Sequence, residues 1–192
     1  MTAPKRDDER RARFHALYEA NYEPILGYAL RRAQGADALD IVSETFLVAW
    51  RRLAHVPAGD EARLWLYGTA RRVLANHERA EQRRARLGGR LADEAATWAH
   101  AVPEQQTGAV ASAFARLRAT DRELLALVAW EGLDAREIAL VVGCSRNAAR
   151  IRLHRARRRF AQALEPEDEH DVKRERPAGH VSLTAIRTED SP

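Results

Sequence analysis

The chain has 192 residues, 45% hydrophobic and 6% aromatic, with 32 Lys plus Arg against 28 Asp plus Glu and a formal net charge of +4, which allows one ordinary domain or two small ones with packed cores. Arg carries almost all of the positive charge, since Lys occurs only at Lys5 and Lys173, and the calculated pI is near 9.7. The lone Cys144 excludes an internal disulfide and a Cys-rich zinc site; no apolar run reaches the ~18 residues of a membrane span and residues 1–13 carry no secretory pattern, so a cytoplasmic protein without membrane insertion is expected.

Helical periodicity dominates, and no period-2 strand stands out. From Arg10 to about Ala20, Phe14, Leu17 and Tyr18 share one face. Pro24 is expected to open a second helix, where its fixed φ is tolerated, with Ile25, Tyr28, Ala29 and Arg32 following at helical spacing. A third helix is expected from about Asp37, as N-cap, to Leu53; its apolar stripe is Leu39, Val42, Phe46, Ala49, Trp50 and Leu53. His55–Asp60 reads as a loop through Pro57 and Gly59, with Asp60 placed to cap a fourth helix. That helix carries Leu64, Trp65, Tyr67 and Val73 and turns strongly basic over Arg79–Arg86.

The pattern weakens between Gly88 and Gly108, which reads as a linker with a short helical piece near Leu91–His100. Beyond it, Thr120-Asp-Arg-Glu123 and Asp134-Ala-Arg-Glu137 both match a capping box and mark two helix starts. After Leu164 the segment Glu165–Pro192 holds eight acidic and four basic residues with Pro166, Pro177 and Gly179, a composition expected to be disordered.

Ala135–Arg159 contains eight Arg and one Glu, a net of +7 with His154 neutral. Its layout is that of a helix-turn-helix. Ala139 is small where two helices meet, Gly143 supplies the turn, and Ser145 can cap the second helix. Ile138 and Val142, then Ala149 and Leu153, face inward; Cys144, beside the turn, reads as core packing, with a redox switch as the alternative. Arg146, Asn147, Arg150, Ile151 and His154 point away from that seam, where base edges would lie, and Arg152, Arg155, Arg157, Arg158 and Arg159 spread around the rim for phosphates. A basic helix for RNA, a membrane surface or an acidic protein is the alternative; the turn, spacing and capping box favour DNA.

In the first half, Asp40 and Glu44 stand at i and i+4 with Asp37 one turn earlier. They form either a solvated acidic face or a docking face for a basic partner. Arg71–Arg90 holds seven Arg against Glu78 and Glu81, with Trp65 and Tyr67 just upstream, the mixture that grips single strands. Trp65 reads as core, whereas Tyr67 fits either core or stacking platform.

Three ordered segments resemble the extracytoplasmic-function (ECF) sigma factors of RNA polymerase. Asp37–Trp50 resembles the region that docks on the polymerase clamp helices, Trp65–Arg72 the region that reads the minus-ten element, and Gly143–Arg157 the helix-turn-helix that reads the minus-thirty-five element. The resemblance implies an all-α fold of two small helical modules joined by a flexible linker: region 2 over 10–86, a linker over 87–112, region 4 over 113–164, and a disordered tail over 165–192. It implies docking on core polymerase, clamp helices and flap, through Asp37, Asp40, Ser43 and Glu44. Minus-ten contacts would come from Tyr67, Arg71, Arg72, Asn76, Arg79 and Arg83 with the His55–Asp60 loop holding the melted non-template strand. Minus-thirty-five contacts would come from Arg146, Asn147, Arg150, Ile151, Arg152, His154, Arg155 and Arg157.

The implied role is promoter-directed initiation, with no cofactor, no metal, no catalysis by the chain itself, and an anti-sigma factor as a further partner. The sequence departs from the family pattern at Ser43, usually Gln; at Arg72, usually Asn; and at Asn147-Ala148-Ala149, usually a Gly-Thr-Val pattern. These departures point to an atypical promoter preference. The rival from another class is a helix-turn-helix repressor or activator that never touches polymerase; an RNA-binding adaptor is more distant, and the absence of a nucleophile–base pair, phosphate loop or metal cluster in the sequence sets an enzyme last.

Overall fold

The computed structural model describes residues 3–88 and 108–165. Those residues form seven helices and a single 3-10 turn: α1 (Ala3–Leu30), α2 (Gly35–Arg51), the turn Leu53–His55, α3 (Glu61–Gly88), α4 (Ala109–Ala115), α5 (Ala119–Ala129), α6 (Ala135–Val142) and α7 (Arg146–Leu164). The expected linker helix near Leu91–His100 and the tail beyond Glu165 lie outside the described residues.

The first module is the bundle α1–α3. The two helices expected around Pro24 are one, with the proline inside α1. An interior proline costs a hydrogen bond and a ring clash, about 3 kcal/mol. One unbroken inward stripe runs through it, from the half-buried Phe14 and Leu17 to the buried Asn21, Ile25 and Tyr28, so packing on both sides of Pro24 outweighs the local penalty. Asn21 holds the same turn by donating from Nδ2 to the Leu17 carbonyl at 2.8 Å.

α2 begins two residues before Asp37, with Gln34 at the N-cap and no side-chain cap bond; Asp37 is therefore a first-turn acid near the positive helix end, not the cap. Its inward stripe is Ala38, Ile41, Val42, Thr45, Phe46 and Ala49. Leu39, expected on that stripe, is 52% exposed. Ala38, Ala49 and Ala70 are fully buried and let the helix axes approach closely.

The second module is α4–α7. Phe114 meets Trp130 and Phe160 edge-on, with ring centres 5.7 and 6.2 Å apart. The buried Asp121 of α5 pairs with Arg159 of α7 at 2.7 Å, so Arg159, still exposed at the rim, is tethered to its own module. Thr120 does not cap α5, whose N-cap is Arg118 with no side-chain cap bond. The second partner of that expected capping box, Glu123, is used elsewhere: it reaches across to α1.

The two modules are packed on each other. Leu124, Leu127, Leu133, Ile138, Ala139, Val141, Ala149 and Leu153 join the buried residues of α1–α3 in one hydrophobic cluster. At this junction Arg32 is 2% exposed. Its Nε donates to Glu123 at 2.8 Å and its Nη1 to Glu131 at 2.9 Å, while Arg31 donates to Glu131 at 2.5 Å. Tyr28 donates its hydroxyl to Glu123 at 2.9 Å, and the Arg32 guanidinium lies 3.7 Å over the Tyr28 ring.

Candidate nucleic-acid interface

Local sequence builds the turn between α6 and α7. The Asp134 carboxylate accepts from the backbone N–H of Arg136 at 2.6 Å and of Glu137 at 2.8 Å, and Glu137 accepts from the Asp134 N–H at 2.8 Å. This completes the capping box expected there. The hydrogen bond from the Glu137 N–H, then that from Arg136, holds the Asp134 carboxyl below its usual pKa. Gly143 ends α6 at φ 75°, a left-handed conformation where a Cβ is strained. Ser145 then accepts from the Ala148 N–H at 3.2 Å and starts α7.

The seam of the pair is Ile138, Ala139 and Val141 against Ala149, Leu153 and Ala156, all buried. Val142 and Cys144 are half-buried against it. With that face inward, Arg146, Asn147, Arg150, Ile151, Arg152, His154, Arg155 and Arg157 are all exposed. Arg136, Arg146, Arg150, His154 and Arg157 line one concave groove of about 440 Å³, with Leu133 and Asp134 also in its wall. Ile151 is 44% exposed, an apolar side chain among cations that matches a thymine methyl. A short helix ending in a left-handed glycine, followed by a capped helix of seven Arg and no acid, defines a helix-turn-helix DNA-binding protein.

The first module presents a second basic surface. Arg51, Arg52 and Arg72 line a groove of about 410 Å³ between α2 and α3 with Glu44, Val48, Trp65, Thr69, Val73 and Asn76. Of the two aromatics, Trp65, read as core, is the more open one, and Tyr67, left between core and platform, is core. Trp65 is half-buried and opens to this groove, whereas Tyr67 is 3% exposed and stacks near Tyr28 at 5.4 Å. Burial first, then Glu131, raises the Tyr67 phenol pKa.

Arg72 is exposed and donates from Nε to the Gly68 carbonyl at 2.7 Å. Arg79 donates to Asn76 at 2.9 Å, both exposed; Arg83 is exposed and Arg71 half-buried. Arg51 and Arg52 were missed in the sequence because they lie at the end of α2, outside the basic run. His55, Ala58, Gly59 and Asp60 of the loop are exposed, and Arg13 anchors it by donating to the Val56 carbonyl at 2.8 Å.

On the outward face of α2, Asp37, Asp40, Ser43 and Glu44 are all exposed. Leu39 and Leu47, 52% and 45% exposed, stand among them. Glu44 meets His77 of α3 at 3.1 Å, a contact that no spacing within α2 could reveal. No group of three or more candidate metal ligands occurs among the described residues, and none of their helices is long and apolar enough to cross a membrane.

Comparison with known proteins specifies the class. Residues 17–84 match the model of sigma-70 region 2 and residues 107–160 that of sigma-70 region 4. The chain is 30% identical over 155 residues to the ECF RNA polymerase sigma factor SigC of Mycobacterium tuberculosis, covering 80% of this chain and 84% of that one. It is also 30% identical over 164 residues to the ECF sigma factor BldN of Streptomyces coelicolor, covering 81% and 61% respectively. In fold it is similar to the sigma factor RpoE of Bartonella quintana, solved with the anti-sigma factor NepR: TM-score 0.56, 21% identity, 85% of this chain and 98% of that one covered.

The chain thus belongs to the sigma-70 family, as one of its ECF RNA polymerase sigma factors. It directs RNA polymerase to promoters.

Proposed function

We propose that the outward face of α2 docks core polymerase, that α3 with the His55–Asp60 loop grips the melted minus-ten strand, and that α7 reads the minus-thirty-five element. The observation that carries this division is the separation of surfaces: an acidic face seeded with exposed leucines on α2, and two Arg-lined grooves on different modules. Exposed Leu39 and Leu47 beside Asp37, Asp40, Ser43 and Glu44 combine apolar area with charge, as a protein interface needs and a merely solvated face does not.

Trp65 is the stacking residue of this reading. A half-open ring beside Arg51, Arg52 and Arg72 offers a base a π-face worth about 1–3 kcal/mol and its phosphates three cations. That gain offsets the few kcal/mol needed to unstack a base. In the second module, phosphate contacts from Arg152, Arg155, Arg157 and Arg158 supply affinity and register, while Arg146, Asn147, Arg150, Ile151 and His154 meet base edges.

Bond making belongs to the polymerase, and no reaction is assigned to the chain. Its place of action is the cytoplasm, and an anti-sigma factor is a natural partner of the same surfaces, as for the fold neighbour that was solved with one.

The docking assignment is tested by changing Asp40 and Glu44 together to Lys. The variant should keep its helical content and lose association with core polymerase. Co-purification at the wild-type yield would show that the α2 face is only solvated.

A further inference from the structure

The amino half of α1 lies against the last turn of α2 and the loop that leaves it. Phe14 meets Trp50 edge-on at 5.1 Å and Phe46 at 6.5 Å. One turn before Phe14, the Arg10 guanidinium lies 4.4 Å over the Trp50 ring and donates from Nη2 to the Trp50 carbonyl at 3.0 Å. That oxygen is among the last four carbonyls of α2, which have no partner within their own helix. Arg13 donates in the same way to the Val56 carbonyl at 2.8 Å. Both arginines are exposed.

A guanidinium has five N–H donors, and each of these two commits one terminal nitrogen to a backbone carbonyl. The remaining donors stand in a fixed direction. Trp50 directly precedes Arg51 and Arg52, which line the Trp65 groove on the other side of the same helix end. Four arginines therefore flank the His55–Asp60 loop, two on each side of it.

The loop and α3 occupy the melted minus-ten element in the reading given above, and the element's neighbouring duplex lies upstream. Transcription starts downstream, so the single strand must run on from the loop towards the start site. With the α3 arginines and the Trp65 groove on one side of the loop, a strand that crosses it meets Arg13 and then Arg10.

We propose that Arg10, with Arg13 beside it, seats phosphates of the non-template strand just downstream of the minus-ten element. The proposal rests on the minus-ten reading of the proposed function. A guanidinium held between a ring face and a carbonyl has already lost its rotamer freedom in folding, so closing on a phosphate costs it little. The half-buried Phe14 and Trp50 and the 38% exposed Tyr18 flank the seat with aromatic surface, the combination that holds unpaired bases. A contact to phosphate adds affinity and register and chooses no sequence.

The test uses holoenzyme, the full-length chain with core polymerase, on two fork templates with the same upstream duplex and the same single-stranded minus-ten element. In one the non-template strand stops at the end of the element; in the other it continues for roughly six nucleotides of mixed sequence. Wild type should bind the longer template more tightly. Arg10→Gln should keep its helical content by circular dichroism, match wild type on the short template and bind the longer one about threefold or more weakly, with a salt slope lower by about 0.7, the value for one single-strand phosphate. Arg10→Lys should restore affinity and slope, because the charge remains. Arg13→Gln should weaken both templates, since Arg13 also holds the loop.

No gain for wild type on the longer template, an undiminished gain in Arg10→Gln, an equal loss on both templates, or an Arg10→Lys protein no better than Arg10→Gln would each overturn the proposal. The last two would leave Arg10 as a tie between α1 and α2 alone. Failure of the minus-ten reading has its own signature: wild type would bind the short template no better than one with a scrambled element, and the proposal would fall with it.

Discussion

Arg150 and Arg158 carry the same charge on the same helix, yet they should do different work. Arg150 lies in the groove of the helix-turn-helix near the start of α7, while Arg158 lies two turns further on and is exposed. Arg150→Ala should weaken binding to the cognate upstream element by about 1–3 kcal/mol and relax selection at one position. Arg158→Ala should weaken all duplexes alike and reduce the salt slope by about one. A binding series over a randomised duplex library at several salt concentrations separates them.

Arg72 poses the same question in the first module. A guanidinium only donates, and Arg72 spends its Nε on the Gly68 carbonyl, which leaves its terminal nitrogens for an acceptor in the groove beside Trp65. Guanine, with O6 and N7 as acceptors, is the best match for them. A reporter library randomised over the minus-ten element, read with wild type and Arg72→Asn, should show a changed preference at one position. A uniform fall with every preference retained would make Arg72 a backbone contact.

At the scale of elements, the start of each α6–α7 helix depends on one short side chain. Ser145→Ala should cost about 1 kcal/mol by removing the N-cap of α7, measured as a lowered denaturation midpoint with an unchanged slope. Asp134 gives α6 a pH dependence with a definite sign. Its folded pKa is depressed, so its contribution is complete above the ordinary carboxylate value of about 3.9 and is lost as the pH falls through the lower folded value. Asp134→Asn should remove that part of the acid dependence and leave the stability curve near neutral pH parallel to wild type.

The same elements show where sequence is a sufficient guide. Asp134-Ala-Arg-Glu137, Gly143 and Ser145 act within a few residues of themselves, and each was legible. Thr120-Asp-Arg-Glu123 has the same local pattern but no cap, because Asp121 pairs with Arg159 and Glu123 with Arg32 and Tyr28. Pro24 misled for the same reason: an apolar stripe on both sides holds the helix through it. One signal of the distant pairing was visible in the sequence. Arg32 follows Ile25 and Tyr28 at the spacing of buried residues, and a cation at a buried position implies an acid from elsewhere.

At the scale of the whole molecule, the chain is two small helical modules that stabilise one another. A module of about 60–80 residues buries a limited share of its surface and is marginal alone. Packing α3 on α6 enlarges both cores, and the buried Arg32 cluster specifies how they meet. Such a pair is poor evidence for extra stability, since removing one partner strands a buried charge while a matched apolar replacement can be neutral. What it does is hold the two modules in one arrangement. The exposed faces of α2 and α7 were legible in the sequence because each lies on one helix. The groove around Trp65 and the covering of Tyr67 were not, because they arise from residues brought together across helices and across the two modules.

That this chain gives RNA polymerase its choice of promoter can be read out in a reconstituted system. Core polymerase, freed of other sigma factors, is supplied with fragmented genomic DNA with and without the full-length chain, and transcript 5′ ends are sequenced. A set of starts should appear only with the chain and lie at a constant distance downstream of a shared two-part motif. Starts identical to those of core polymerase alone would contradict it.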